Sequence, residues 1–264
     1  MILSSASPAG VALSLAAAAA YAVPAAGASR LSEAAARRAL QAAWLLHAVV
    51  LVLGFLGQPL FGFAQAVSIT AWLVLTVYAV ERQLFPQLRA RWALCGFGSA
   101  AVLLALAFPG VPLNVRESPW LPLHLALGVA SYGLFAAAAV HAWILQRVER
   151  SIRQGAEPQA GVPLLTLERL TFRFATAGFV LLTATLVAGI FFSEALYGRA
   201  WRWDHKTVFS VLSWIVFATL LLGRQRFGLR GRRAVNVIYI GSVLLLLAYV
   251  GSRFVLEVVL GRTP

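Results

Sequence analysis

Long apolar stretches constrain this chain more than any other feature of its sequence. Eight of them approach the about 20 residues that a helix needs to cross a bilayer, at roughly 8–28, 39–57, 62–80, 92–109, 121–145, 172–192, 207–222 and 234–258, the seventh being the shortest. Charged residues make up only 12% of the chain, about half the share in soluble proteins. The sequence therefore predicts an all-α integral membrane protein, a bundle of about eight transmembrane helices in a single transmembrane domain over residues 1–264.

The distribution of positive charge predicts how these helices are oriented. Of the 22 lysines and arginines, 16 lie in the odd-numbered connections between the stretches. Because cytoplasmic loops are enriched in these residues, we expect the odd connections in the cytoplasm and both termini outside. The first basic residue, Arg30, follows the first stretch, which favours an uncleaved span over a signal peptide. The net charge of +13 is spread over several short loops, so we expect no nucleic-acid partner.

Cys95 is the only cysteine, and it lies within an apolar stretch. The chain therefore cannot form an intramolecular disulfide, a zinc knuckle or a CxxCH haem-attachment motif. The four histidines are the alternative metal ligands, because imidazole is costly in a bilayer and binds haem iron well. Any haem chemistry is expected to depend on them.

The four histidines differ in predicted depth. His124 and His141 are 17 residues apart on one helix, about 25 Å, and cannot share a ligand. His124 and His205 share an outer depth and could approach a planar cofactor from opposite faces, or could each simply pack, snorkel or cap a helix. His47, at mid-span, is either a ligand, proton carrier or pore contact, or part of a buried interhelical hydrogen bond. We interpret His141 as structural, because near Arg147 it can reach water.

The predicted outer loop before the seventh stretch concentrates groups that haem could use. Trp201 and Trp203 offer flat apolar surface for a porphyrin, and His205 follows them directly. Positive side chains for the propionates are Arg199, Arg202 and Lys206. The alternative is an ordinary aromatic belt at the membrane surface, in which Asp204 is the N-cap of the seventh helix.

Short motifs follow one another along nearly the whole chain. The loop run is Trp201-Arg202-Trp203-Asp204-His205-Lys206-Thr207, followed by Ser213-Trp214; the others are Phe61-Gly62-Phe63-Ala64 with Ser68 and Trp72, His124 with Tyr132, Gly223-Arg224 with Gly231-Arg232-Arg233, and Tyr249-Val250-Gly251-Ser252-Arg253-Phe254-Val255. In order and position they resemble the cytochrome c assembly family of haem-handling membrane proteins, CcsA- and CcmC-like. The likeness is greatest to its eight-span, YpjD-like branch.

This resemblance implies that haem b binds at the outer face of a bacterial inner membrane and is delivered to apocytochrome c, with other assembly membrane proteins as partners. His124 resembles the family's first outer histidine, and Trp201, Trp203 and Asp204 resemble the core of its loop. His47 resembles an intramembrane histidine that holds haem in transit.

Two departures from the family pattern shape the ligand assignment. The tryptophan-rich loop is shorter than the full signature, and the chain has no histidine from Tyr249 onward, where the second outer ligand of the family falls. We assign the role of second iron ligand to His205 instead.

Three functions remain open from the sequence. The first is a haem-binding chaperone rather than an enzyme, because no nucleophile–base set or nucleotide-binding loop is visible. The second is a transport or ion-homeostasis accessory protein that keeps the fold without haem, using His47 and the small-residue face of the fifth helix at Gly128 and Ala136–Ala139. The third is a scaffold that holds an assembly complex together.

Overall fold

The structure is a computed structural model that describes residues 7–27, 31–56, 60–84, 91–112, 120–155, 163–194 and 202–261. This part of the chain contains eight long helices: α1 (Pro8–Ala26), α2 (Glu33–Phe55), α3 (Phe63–Leu84), α4 (Arg91–Ala107), α5 (Leu121–Arg153), α6 (Leu164–Phe191), α7 (His205–Phe227) and α8 (Gly231–Leu246). Seven candidate spans are long and apolar enough to cross a membrane, and α4 is a shorter apolar helix. The predicted all-α, multi-pass membrane fold is confirmed; the orientation of the termini stays a prediction.

The apolar helix that is shorter than a full span is α4, with 17 residues, and not the seventh. Helix α8 has 16 α-helical residues, but its apolar span continues in further helical turns to Val259. Helix α7 has 23 residues, because it begins directly after the cap residue Asp204 and runs on past the apolar stretch to Phe227. Its last turn contains Arg224 and Arg226, which end the apolar run. Their positive charges interact favourably with the negative end of the helix dipole, so the helix continues through them. Gly228, with a φ of 63°, then terminates it.

Helices α1–α4 belong to one compact unit and α5–α8 to another. In the first unit, α1 packs against α2 and α4, and α3 packs against α4. Trp44 and Trp72 stack with their ring centroids 5.2 Å apart, and the Trp72 indole N–H donates to the Trp44 carbonyl. That all eight helices form a single domain stays a prediction.

A short β-ladder, not predicted from the sequence, joins two connections of the first unit. Strand β1 (Leu60–Phe61) pairs antiparallel with β2 (Val111–Pro112). Gly110 has a φ of 79°, and a Cβ there would lie 2.7 Å from the Phe61 carbonyl carbon. Gln65 donates to the Phe108 carbonyl at 2.9 Å, just beyond the end of α4. Only glycine fits the close approach at position 110.

An aromatic stack lies at the centre of the second unit. The rings of Phe135 on α5 and Phe217 on α7 stack with centroids 3.8 Å apart. A Cβ at Gly178 of α6 would lie 3.2 Å from the Phe135 ring, and one at Gly241 of α8 would lie 2.7 Å from the Phe217 ring. Two glycines therefore provide the space for the stacked rings. The small residues of α5 also serve packing, since Ala137 and Ala138 are buried.

Helix α8 continues in π-helical turns at Leu247–Gly251 and Val255–Val259, separated by the α-helical turn Ser252–Phe254. The Tyr132 hydroxyl of α5 donates to the Leu245 carbonyl, and the backbone of Tyr249 hydrogen-bonds to the same hydroxyl. Leu245 and Tyr249 are the i and i+4 partners of an ordinary α-helical bond. The Tyr132 hydroxyl thus lies between the two partners of this bond, next to the first π-helical turn, and we expect it to favour the π-helix there.

Candidate functional site

His124 lies in the first turn of α5, where its backbone N–H donates to the Trp120 carbonyl. The side chain is half-buried. Its ring rests against α6, since a Cβ at Gly189 would lie 3.6 Å from His124 Cε1. The glycine therefore lets the imidazole lie close to the α6 backbone near the end of that helix. This end of the second unit is the one predicted to be outside.

Asp204 caps α7, as the sequence predicted. Its carboxylate accepts from the Thr207 N–H at 2.9 Å and from the Thr207 hydroxyl at 3.0 Å. Burial acts to raise the pKa of Asp204, but these hydrogen bonds, together with the neighbouring side chains of Lys206 and His205, outweigh it and hold the pKa below its ordinary value. Asp204 is therefore anionic at neutral pH, and it has a structural role.

The neighbours of Asp204 are open to their surroundings. Trp203 is 66% exposed, and Arg202 and His205 are also exposed. Predicted site residue Trp201 and the propionate candidate Arg199 lie outside the described residues.

His124 and His205 reach the same level of the second unit. Helices α5 and α7 both run antiparallel to α6 and meet at the Phe135–Phe217 stack. His124 precedes Phe135 by 11 residues and His205 precedes Phe217 by 12. At 1.5 Å per residue, each histidine lies about 17 Å along its helix from the stack. The structure thus places both at one end of the unit.

The two histidines do not face the same helix. His124 rests on α6, to which Trp214 of α7 also binds through an N–H···O bond of 2.8 Å to Thr183. His205 lies nine residues before Trp214, which is two and a half helical turns, so it lies on the opposite side of α7. The equality of depth holds, but His205 is directed away from α6.

Large aromatic side chains are exposed at this same end of the second unit. Exposed fractions are 60% for Trp120, 75% for Phe191 and 58% for Phe192, besides the 66% of Trp203. Of these four residues the sequence singles out only Trp203, because the others lie at the ends of apolar stretches, as ordinary span residues do. Together they offer flat apolar surface of the kind that a porphyrin or an acyl chain contacts.

A tyrosine with two cations lies between α7 and the end of α8, and we call it the Tyr249 cluster. Lys206 Nζ is 6.0 Å and Arg253 Cζ is 5.7 Å from the centroid of the Tyr249 ring. Arg253 also pairs with Glu257 at 3.5 Å. Tyr249 and Arg253 belong to one of the motifs that resemble the assembly family, but spacing alone gave no reason to join them to Lys206.

His47 is fully buried in the first unit. Its Nδ1 lies 3.3 Å from the Tyr21 hydroxyl of α1, and its Nε2 lies 2.9 Å from the Ser68 hydroxyl of α3. A neutral imidazole offers one donor and one acceptor, and a hydroxyl can serve either. His47 thus makes the interhelical hydrogen bonds that were one of its two predicted roles. Binding an iron would require it to give up one of them.

His141 is structural in a different way from the one expected. It is buried, with 4% exposure, and its Nδ1–H donates to the Ala137 carbonyl at 2.8 Å. Its ring lies 5.1 Å from that of Phe174. The side chain thus satisfies its polarity inside the unit and does not extend to water, because α6 covers this face of α5.

Comparison with known proteins gives a consistent result. Residues 35–260 match the family described as cytochrome C assembly protein. The inner membrane protein YpjD of Escherichia coli K12 is 31% identical over 81% of this chain and 81% of its own length. The cytochrome c biogenesis protein CcsA of a Synechococcus strain is 27% identical over 73% of this chain and 74% of its own. No solved structure matches significantly.

Proposed function

Because the chain belongs to the cytochrome c assembly protein family, we propose that it is a haem-binding membrane protein of cytochrome c biogenesis. The observation that carries this proposal is the match to the family over most of the chain, together with the similarity to a protein named for cytochrome c biogenesis. Haem b is the cargo in this proposal. The similarity to an inner membrane protein supports the bacterial inner membrane as the location.

The outer end of the second unit supports haem binding best. His124 is the ligand to the iron in our proposal, since it lies half-buried against α6 with exposed aromatic side chains at the same end. Trp203 and Trp201 contribute to the apolar platform. Arg202 and Lys206 bind the propionates, and Lys206 lies beside the ring of the Tyr249 cluster.

His205 is the proposed second ligand, and its geometry makes this assignment separately testable. It shares the level of His124 but lies on the opposite side of α7 from the face that packs on α6. A haem that binds both histidines therefore has to extend around the first turn of α7. If it does not, His124 holds the iron and His205 belongs to the rim with Trp203.

The proposal is tested on protein purified in mild detergent from haem-replete cells. An absorbance spectrum with pyridine haemochrome quantitation identifies the haem type and its stoichiometry. We expect near-stoichiometric haem b in the parent protein and loss of most Soret absorbance in His124→Ala. His205→Ala converts a six-coordinate low-spin spectrum to a high-spin one if His205 is the second ligand.

His141→Ala is the matched control, because it removes a histidine from the same helix about 25 Å away. It is expected to keep haem. An unchanged haem content in the His124→Ala, His205→Ala double variant would refute the ligand assignment. A haem-free parent protein would refute haem binding itself.

A second function is favoured by the buried polar chain of Tyr21, His47 and Ser68. Hydrogen-bonded hydroxyl and imidazole groups inside a membrane unit are the components of a proton or ion path. A transport or ion-homeostasis accessory protein would depend on them. Under this alternative, His47→Ala reduces ion or metal tolerance of cells while cytochrome c levels stay normal and no haem is bound. Under the first proposal, cytochrome c levels fall in His124→Ala.

A further inference from the structure

The opposite end of the second unit contains an open cavity that the proposed haem function does not use. It lies between the C-terminal turns of α5 and the first turns of α8, and its volume is about 530 Å³. Arg150, Arg153 and Arg232 line it, together with the polar side chains of Asn236 and Tyr239. We call it the arginine cavity. The distribution of positive charge predicts that this end faces the cytoplasm.

The arginine cavity carries excess positive charge. Glu149 is its only lining carboxylate, against three arginines, and in the described ranges no carboxylate forms an ion pair with any of the three. Two other arginines at this end do lie close to a carboxylate. Glu168 binds Arg224 at 2.7 Å and approaches Arg230 at 3.5 Å. Among the residues that the structure describes, one group of arginines at this end is therefore neutralised by a carboxylate, whereas the arginines of the cavity are not ion-paired.

The positive-inside rule explains why arginines lie at the cytoplasmic ends of helices. It does not explain why several of them line one cavity. Here the three arginines line a space that the amides of Gln146 and Asn236 and the phenol of Tyr239 also line. Guanidinium groups bind phosphate oxygens in pairs of parallel hydrogen bonds, and neutral donors complete such sites. The chemistry of the lining therefore fits a phosphate group better than a halide or a single carboxylate.

The depth of the cavity indicates where the phosphate comes from. Arg153 ends α5, whereas Tyr239 is eight residues into α8, about 12 Å along the helix. The cavity thus extends from the helix ends, at the level of lipid phosphates, towards the hydrocarbon. Basic pockets between transmembrane helices on the cytoplasmic side characteristically take anionic head groups. We propose that the arginine cavity binds a phosphate-bearing anion, supplied by an anionic phospholipid or by a free phosphate compound.

The test is native mass spectrometry of the delipidated full-length protein in detergent, titrated with phosphatidylglycerol, phosphatidylcholine or inorganic phosphate. We expect phosphatidylglycerol to bind more tightly than phosphatidylcholine. Arg150→Gln with Arg232→Gln should weaken phosphatidylglycerol binding roughly 10- to 30-fold, because each arginine near an anionic head group contributes about fivefold. The control Arg226→Gln with Arg233→Gln removes the same charge from exposed arginines outside the cavity and should have little effect.

Arg150→Lys keeps the charge but removes the paired hydrogen bonds, so it should weaken phosphate recognition several-fold if the site is built as described. Binding of inorganic phosphate that is lost in the cavity variant, without lipid selectivity, assigns the site to a free phosphate compound. Equal losses in the cavity and control variants would mean that only surface charge matters and would overturn the proposal. So would binding that no variant changes.

Discussion

The two units differ in the surroundings that they give to a histidine within an apolar helix. In the first unit His47 is fully enclosed, and hydroxyl groups of two other helices occupy both its ring nitrogens. In the second unit His124 lies near a helix end, half-buried beside a glycine, with large aromatic side chains exposed at the same end. The difference shows that a histidine within a span indicates function only together with its surroundings. His47 hydrogen-bonds to two neighbouring helices, whereas His124 lies at a helix end beside exposed aromatic side chains, where we propose that it meets a ligand.

The largest expected effect on stability follows from this contrast. His47→Ala removes two hydrogen bonds, leaves the Tyr21 and Ser68 hydroxyls unsatisfied and creates a cavity. We expect it to lower the free energy of unfolding by about 3 kcal/mol. His124→Ala should cost less than about 1 kcal/mol, because that side chain is only half-buried. Unfolding in mixed micelles with increasing SDS measures both. Equal costs would remove the distinction between the two histidines.

The two units can also be compared through one glycine in each that has a positive φ, Gly110 in the first unit and Gly228 in the second. A Cβ at Gly110 would lie 2.7 Å from the Phe61 carbonyl carbon, whereas nothing lies within 4 Å of one at Gly228. Gly228→Ala should cost about 1 kcal/mol, the ordinary price of a left-handed residue. Gly110→Ala carries the same conformational cost plus the clash, so we expect at least about 2 kcal/mol. The same unfolding assay compares them, and a smaller loss for Gly110→Ala would contradict the β-ladder geometry.

Tyrosine hydroxyls offer a third pair of matched changes. Tyr132→Phe removes the group inserted between Leu245 and Tyr249, so α8 can close its ordinary i to i+4 bond. We expect a loss of about 1 kcal/mol and altered hydrogen exchange at Leu247–Gly251. Tyr21→Phe should cost a similar amount, but without changing exchange in any other helix backbone, because Tyr21 bonds to a side chain. Unaltered exchange in Tyr132→Phe would mean that the π-helix has another cause.

The sequence predicted the features that depend on local pattern. Apolar length identified the helices, and Asp204 three residues before Thr207 identified a cap that the structure confirms. The length of α7 was underestimated, because apolar runs end at Arg224 while the helix does not. His47 was identified as costly, but its partner Tyr21 is 26 residues away on another helix, and no spacing rule joins them.

The sequence predicted which residues belong to the candidate site but not how their side chains are arranged. His124, Trp203 and His205 were named from the sequence, and their common level follows from helix length. The direction of each side chain does not, because it depends on which face of α7 packs on α6, and that is decided by Trp214 and Thr183. The Tyr249 cluster was missed for the same reason: it depends on contacts between α7 and the last turns of the chain.

The smallest expected effect on stability concerns the N-cap of α7. The N-cap of α7 is the charged residue Asp204, whereas in the first unit α1 and α2 have the uncharged N-caps Ser7 and Ser32. The pKa of Asp204 is lower in the folded protein than its ordinary value. Its charge therefore stabilises the fold fully above the unfolded value of about 3.9, and this stabilisation is lost as the pH falls through the folded value. Asp204→Ala should cost about 1 kcal/mol at neutral pH and progressively less below about pH 4.

Asp204→Asn keeps a capping side chain without the charge, so its cost relative to the parent should be a few tenths of a kcal/mol at neutral pH and should disappear in acid, because the Asn cap itself does not titrate. Thermal unfolding of the three proteins between neutral and acidic pH separates the contributions of hydrogen bond and charge. The parent protein should approach the Asp204→Asn variant in stability as the carboxylate is protonated, while the serine caps of the first unit contribute no pH dependence. If the Asp204→Ala deficit stays constant in acid, the cap acts through its hydrogen bonds alone, and the contrast between charged and uncharged caps disappears.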